Sequence, residues 1–120
     1  MQSTTKINRG DIILVEVAFS NGLGKKLRPA LVISTNAYNK ARDEVIISGI
    51  TSNVNRLHKG DTKIVDWEKA GLKVPSHATA VIQTVKKDRI QKSLGQIENS
   101  DVEKIEVNLS QVLGFSMLSE

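Results

Sequence analysis

Apolar and polar positions alternate along the first half of the chain, which is the pattern of β-strands with one buried face. In segment 11–19 every second side chain from Ile13 to Phe19 is apolar, and Glu16 falls on the other face. Short runs rich in β-branched residues predict further strands at 30–35, 44–51, 61–66, 78–84 and 93–97. A loop of about ten residues, which begins with the glycine-bearing segment 20–24 and includes Lys25 and Lys26, separates the first two strands, so we expect them to pair as an antiparallel hairpin.

The period changes to that of a helix near the end of the chain. Apolar residues recur on one helical face at Val102, Ile105, Leu109, Val112 and Leu113. Ser100 and Glu103 have the spacing of a capping box, and Gly114 is placed to end the helix. A shorter helix is predicted at 36–41, with Asn36 as its N-cap. Several strands closed by one long helix predict an α+β, mainly β fold, a small curled antiparallel sheet or barrel.

Composition narrows the class of protein. The 120 residues suit a single domain spanning 1–120, in which we expect residues 1–8 to be flexible. Cysteine is absent and only two histidines occur, which excludes disulfides, thiolate metal sites and a His-rich metal site, so we expect no metal or other cofactor. No apolar run approaches the roughly 20 residues that span a bilayer, and we expect a cytoplasmic protein without membrane contact.

Charge points to the class of partner. Seventeen Lys and Arg against thirteen Asp and Glu leave a net charge of +4. The cations cluster at Lys25, Lys26 and Arg28 and again at Lys86, Lys87, Arg89 and Lys92. The stretch from Glu98 onward is acidic, and a cationic side opposite an anionic one favours a polyanion such as nucleic acid. With four aromatic residues in the chain, we expect such contact to depend on charge and hydrogen bonds rather than on stacking.

Several short motifs carry more information than the charge does. Segment 24–34, GKKLRPALVIS, sets Arg28 at a strand entrance, and segment 49–53, GITSN, ends a strand with two hydroxyls. The motifs follow one another along the chain as Gly10-Asp11, 26–32 (KLRPALV), 36–39 (NAYN), 50–52 (ITS), 74–76 (VPS) and 84–89. This ordered set resembles the MazF/PemK family of toxin endoribonucleases over nearly the whole chain after residue 8.

The resemblance implies the toxin of a type II toxin–antitoxin pair, folded as a small SH3-like or CcdB-like barrel. It implies a metal-independent endoribonuclease that cuts single-stranded RNA and so inhibits translation and growth. The partners implied are the RNA substrate, a cognate antitoxin and a second copy of the chain in a homodimer. In that chemistry the 2′-hydroxyl next to the cut attacks the phosphorus, and the products are a 2′,3′-cyclic phosphate and a 5′-hydroxyl.

The resemblance also assigns residues. The family's catalytic arginine and threonine correspond to Arg28 and Thr51, and we expect Ser52 to support them. A guanidinium offers two parallel donors to a phosphoryl group, and a hydroxyl adds another. We expect His58, in the loop after Thr51, to be the candidate general base, because histidine exchanges protons near neutral pH. The expected RNA-binding residues are Lys25, Lys26, Asn21, Ser20 and Gln83.

Other interpretations stay open at this point. Arg28 can serve only to pair with Asp11 or Glu16, His58 can be an exposed loop residue, and Trp67 is most simply a core residue. Several relatives carry an acidic residue in the strand that here is 78–82, which contains no carboxylate. That difference favours a non-catalytic nucleic-acid-binding or regulatory module on the same barrel. A third alternative is a topoisomerase poison like the CcdB-like relatives.

Overall fold

A computed structural model describes residues 6–18 and 24–116 of the chain. The strands are β1 (Asp11–Ala18), β2 (Lys25–Val32), β3 (Glu44–Thr51), β4 (Thr62–Ile64), β5 (Ser76–Lys86) and β6 (Ile90–Gln96). The helices are α1 (Asn36–Ala41) and α2 (Asn99–Leu113), and one 3₁₀ turn covers Lys87–Arg89. The predicted α+β, mainly β class is confirmed.

The strands form one six-stranded antiparallel sheet in the order β4-β5-β3-β2-β1-β6. β1 and β2 are the predicted hairpin, with Ala18 opposite Lys25. Register shifts interrupt the β1–β6 pairing, and a further shift between Ser48 and Ile50 interrupts the β3–β5 pairing. Such irregularities increase the local twist and bend strands, which suits the curled sheet that we expected.

Both faces of the sheet are apolar and each carries a core. Successive residues of a strand point to opposite faces, so Ile12 and Ile13 are both fully buried but in different clusters. The first cluster, which includes Leu31, Ile50, Ile64, Leu72, Ile105 and Leu109, joins the sheet to α2. The second cluster consists of Ile7, Ile13, Val15, Ala30, Val32, Val45, Ile47 and Val85. Burial on both faces allows the curled sheet to form from a short chain.

The structure confirms the predicted end of α2 but not its predicted start. Gly114 ends it with φ of 76°, the left-handed conformation that glycine adopts without strain, as predicted. The predicted capping box is wrong, because the helix begins at Asn99 and Ser100 already lies inside its first turn. Ile105 and Leu109 are buried as predicted, but Val112 and Leu113 are 45% and 48% exposed, so the buried face of the helix does not include its last turn.

The start of α1 differs from the prediction by one residue. Its N-cap is Thr35, whose hydroxyl oxygen accepts the Tyr38 N–H at 3.2 Å, rather than Asn36. Asn36 instead accepts the backbone N–H of Arg9 through its side-chain oxygen at 2.6 Å. The local sequence is compatible with either residue as the N-cap. Thr35 is the cap because the side chain of Asn36 is hydrogen-bonded to Arg9.

The segment 25–28, expected in a loop, and residues 7 and 8, expected to be flexible, both contact β1. The cationic residues from Lys25 to Arg28 belong to β2 rather than to a loop, since they pair with β1. Ile7 is buried in the second cluster and Asn8 N–H donates to Asp11 Oδ2 at 2.8 Å, so residues 7 and 8 pack against the sheet. Residues 1–5 of the expected flexible segment lie outside the described residues.

Candidate active site

A cleft of about 350 Å³ opens beside the entrance of β2 and the end of β3. Its apolar lining comes from Leu14, Pro29, Ile50, Leu72 and Leu94. Its polar and charged lining comes from Arg28, Ser52, Lys73, Ser76 and Lys92. We call it the Arg28 cleft. An apolar floor with a few converging donors is the usual composition of a binding site.

Arg28 is exposed and, within the described part of the chain, forms no ion pair. The two carboxylates suspected of pairing with it are engaged elsewhere. Asp11 accepts the Asn8 N–H at 2.8 Å and the Gln96 amide at 2.9 Å. Glu16 lies 4.0 Å from the Lys25 ammonium. The guanidinium of Arg28 is therefore available to bind an anion in the cleft.

Lys92 reaches the Arg28 cleft through the register of the sheet. Leu14 of β1 pairs with Pro29 of β2 on one side and with Lys92 of β6 on the other. Directly opposed residues share a face, so Lys92 lies on the same face as Leu14, one strand beyond it. Lys73 adds a cation from the segment before β5. The sequence placed Lys92 in a charge cluster but gave no sign of its position beside Arg28, and Lys73 was missed.

Thr51 and Ser52 are adjacent residues in different surroundings. Ser52 lines the Arg28 cleft, whereas Thr51 is not among the described residues that line it. The β2–β3 pairing reaches Ala30 opposite Gly49, and Arg28 and Thr51 each lie two residues further along their strands. Thr51 Oγ1 accepts the Asn53 N–H at 3.1 Å, which leaves its own O–H proton for another acceptor. The structure thus brings both hydroxyl residues to the strand end next to β2.

The remaining candidates are more scattered. His58 is exposed in the loop 52–60, and its backbone N–H donates to Asp61 Oδ2 at 3.0 Å. It is not among the described residues that line the cleft. Lys26 is exposed opposite Val17 on β1.

Of the three further RNA-binding candidates, Gln83 does not line the Arg28 cleft. It is exposed opposite Ile47, in the middle of β3 rather than at its end. Ser20 and Asn21 lie outside the described residues.

One wall of the Arg28 cleft is anchored by a buried carboxylate. Asp101, fully buried in the first turn of α2, accepts the N–H of Val65 at 3.0 Å and of Asp66 at 2.9 Å. These amides begin the chain segment that leads to Gly71 and Lys73 on the wall. An anion near a helix N-terminus is also favoured by the helix dipole.

Backbone packing fixes the same wall from the other side. Gly71 has φ of +94°, and a Cβ there would overlap the Leu94 carbonyl. A Cβ on Gly95 would overlap the Ala70 carbonyl in the same way. The two glycines therefore let the wall lie directly against β6, which carries Lys92.

Within residues 6–18 and 24–116, no group of three or more His, Asp or Glu is arranged to hold a metal ion. No helix in that part of the chain has the length and apolar character to cross a bilayer.

Comparison with known proteins places this arrangement in a family. Residues 8–113 match the family model described as PemK-like, MazF-like toxin of type II toxin-antitoxin system. The chain belongs to this toxin family. The match covers the cleft, the first core cluster and all of the second except Ile7, and it confirms the resemblance drawn from the motifs. No curated protein sequence matches the chain.

Solved structures of PemK-like and MazF-like toxins share the fold at low sequence identity. A structure described as an endoribonuclease from mycobacterial species has a TM-score of 0.76 and 19% identity, covering 98% of this chain and 100% of that one. Another is the mycobacterial endoribonuclease in complex with its cognate antitoxin, with a TM-score of 0.76, 20% identity and coverage of 93% and 99%. A MazE-MazF structure from Deinococcus radiodurans has a TM-score of 0.72, 18% identity and coverage of 93% and 99%.

Proposed function

We propose that this PemK-like toxin is a metal-independent endoribonuclease that cleaves single-stranded RNA in the Arg28 cleft. The observation that supports it most is the placement of Arg28, which has no carboxylate partner in the described part of the chain and shares the cleft with Lys73, Lys92 and Ser52. Three cations and a hydroxyl at one opening suit a phosphodiester better than a neutral ligand. The structures of mycobacterial endoribonucleases with the same fold agree with this proposal.

The reaction that we propose is an internal transesterification. The 2′-hydroxyl oxygen forms a bond to the adjacent phosphorus, and the bond from phosphorus to the 5′-oxygen breaks. A base takes the 2′-hydroxyl proton and an acid returns a proton to the leaving 5′-oxygen, so the products are a 2′,3′-cyclic phosphate and a 5′-hydroxyl. Negative charge grows on the phosphoryl oxygens in the transition state, and preorganised donors stabilise it.

Arg28 is the electrostatic element of this proposal, because a guanidinium donates hydrogen bonds and accepts none. Thr51 and Ser52 add hydroxyl donors from the end of β3, and Lys25 and Lys26 hold the RNA backbone near the entrance of β2. We keep His58 as the proposed general base, since the loop 52–60 that carries it begins at the cleft with Ser52. Replacing His58 by Gln then lowers the rate of RNA cleavage.

We also propose a cognate antitoxin and a homodimer as partners. A disordered acidic segment of the antitoxin would lie over the cations of the Arg28 cleft and exclude RNA. A mycobacterial endoribonuclease of the same fold has been solved in complex with its cognate antitoxin, and a MazE-MazF structure is known from Deinococcus radiodurans. The antitoxin should therefore block cleavage, and sedimentation at micromolar concentration should give twice the mass of the chain.

The test is cleavage of single-stranded RNA by the purified chain in EDTA. Arg28→Ala should lower the rate by about 100- to 1,000-fold, the loss seen when one transition-state donor is removed. Thr51→Ala and Ser52→Ala should each lower it less. Arg42→Ala is the matched control, because Arg42 is also exposed but pairs with Glu44 and does not line the cleft.

Equal cleavage by the wild type, Arg28→Ala and Thr51→Ala would move the chemistry elsewhere. RNA binding without any cleavage would select the non-catalytic module, for which the missing carboxylate in 78–82 is the favouring observation. DNA damage in cells without loss of RNA would select the topoisomerase poison.

A further inference from the structure

A second hollow, of about 680 Å³, lies next to the Arg28 cleft. Its walls are mostly apolar, with Trp67 and Pro75 on one side and the loop residues Val54 and Leu57 on another. We call it the Trp67 hollow. Ser76 lines both openings, and its hydroxyl donates to the Val74 carbonyl at 2.9 Å, which braces the ridge between them. The volume is within the range of pockets that hold small organic ligands.

The Trp67 hollow contains a polar atom that the described fold leaves without a partner. His77 is 4% exposed and lines the hollow, and its Nδ1 has no hydrogen-bond partner within the described residues. Buried polar atoms are almost always paired, because an unpaired one loses its hydration without compensation. An imidazole nitrogen placed this way in an apolar hollow is ready to pair with a polar edge of a ligand.

The register of the sheet places His77 next to Thr51, a proposed catalytic residue. His77 of β5 pairs with Thr51 of β3 on one side and with Lys63 of β4 on the other. Directly opposed residues share a face, and neighbouring strands are about 4.8 Å apart. The row Thr51–His77–Lys63 therefore leads from a proposed catalytic hydroxyl into the Trp67 hollow in one strand step.

We propose that the Trp67 hollow binds one nucleobase of the RNA, that of a nucleotide next to the scissile phosphate. The base would stack on or beside the Trp67 indole and pair with the His77 imidazole. This inference deepens the proposed function and rests on it. It makes Trp67 and His77 determinants of the base preference at one position beside the cut, while Arg28 and Thr51 act on the phosphate.

The surroundings favour a nucleobase over other occupants. A base has a flat apolar face and a polar edge, which matches an indole and an imidazole in one apolar hollow. Lys63 lines the hollow and Arg56 and Lys59 are exposed in the loop beside it, so the rim suits the phosphates that flank the base. Trp67 is only half-buried although it packs against the first core cluster, so part of its ring is available for stacking.

The direct test uses Trp67 as its own probe, because it is the single tryptophan of the chain. A 2′-O-methyl oligonucleotide, which lacks the attacking hydroxyl, is titrated while tryptophan emission and oligonucleotide anisotropy are followed. Saturable quenching that tracks the anisotropy is expected. His77→Leu should raise the Kd about tenfold, a loss typical of one stacked and paired base. Binding by anisotropy with no change in Trp67 emission would overturn the proposal.

The second test measures base preference. A library of RNAs varied around the cut is cleaved by the wild type, Trp67→Leu and Leu57→Ser, and the cut ends are sequenced. Each variant should lower the ratio between the best and worst base at one flanking position, about tenfold for Trp67→Leu, and leave the other positions unchanged. Leu113→Ser is the matched control, an exposed leucine at the end of α2 that should keep the preference. Because Trp67→Leu and Leu57→Ser do not alter the buried imidazole, they test the hollow even where His77→Leu fails to fold.

The outcomes separate this proposal from the proposed function. Quenching without any cleavage by the wild type would retain the base site and overturn the ribonuclease. Cleavage with unchanged preference in Trp67→Leu and Leu57→Ser would overturn the base site and retain the ribonuclease. Quenching by an antitoxin segment but not by the oligonucleotide would also overturn it, since the hollow would then belong to the protein partner.

Discussion

Replacing Asp101 by Ala should destabilise the toxin through the wall of the Arg28 cleft. The fully buried carboxylate accepts the N–H groups of Val65 and Asp66 at 3.0 and 2.9 Å, and alanine leaves both donors without an acceptor. Each unpaired buried donor lowers the free energy of unfolding by about 1–3 kcal/mol. Val65 is exposed and Asp66 half-buried, so water compensates part of the loss, and we expect a total of about 3 kcal/mol.

Thermal unfolding followed by circular dichroism measures this change. For a chain of this size about 3 kcal/mol corresponds to a fall in Tm of roughly 12 °C. Asp101→Asn keeps one acceptor of similar shape, so it should cost about half as much. Glu103→Ala is the matched control, an exposed carboxylate in the same part of α2 that should change the stability by less than about 0.5 kcal/mol.

The same variants test whether the wall positions the site. At a temperature where Asp101→Asn remains folded, RNA cleavage should fall more through KM than through kcat, since Lys73 on the loosened wall binds substrate in the proposed mechanism. A Tm within about 2 °C of the wild type for Asp101→Ala would refute the argument, because the expected loss of about 3 kcal/mol already allows for partial compensation by water.

Further predictions concern packing and charge. Gly71→Ala should prevent soluble expression or lower the Tm by more than about 10 °C, because its Cβ overlaps the Leu94 carbonyl at a positive φ. Ile47→Ala should cost about 3 kcal/mol in urea unfolding with an unchanged m-value, since Ile47 is 1% exposed, and a cost below about 1 kcal/mol would contradict its place in the core. Thr35→Ala should cost about 1 kcal/mol by the same assay, through the lost cap of Tyr38 N–H. RNA affinity should fall with salt, with about −2 of the log–log slope contributed by the three cleft cations if each meets a phosphate, and a flat dependence would exclude that contact.

Local pattern was sufficient for much of the secondary structure. The strand predicted at 44–51 matches β3 in both bounds, and the short helix predicted before it ends at residue 41, as α1 does, because both segments have clear breaks in pattern. The predicted bounds and caps were wrong where a contact with a residue distant in sequence determines the local structure. β2 begins at Lys25 because β1 supplies hydrogen bonds there, and Asn36 is not the cap of α1 because it bonds to Arg9.

For the candidate site the sequence supplied the types of residue and the resemblance supplied their order. Arg28 and Ser52 were identified in this way, and they line a common cleft. Whether they act in catalysis stays a prediction, as it does for Thr51 and His58. Lys73 was not predicted as a site residue, because its position depends on the packing of its segment against β6. The local sequence around residue 73 does not indicate this packing.

The sequence by itself determined the alternating strands, the final helix, the basic character and the family, because each of these depends on neighbouring residues or on motifs in a fixed order. Only the tertiary structure decided which side chains meet. The register of β1 brings Lys92 into the cleft of Arg28, and the register of β5 sets His77 between Thr51 and Lys63. A shift of one residue in either pairing would turn these side chains to the opposite face, and this choice is made by packing across the whole sheet.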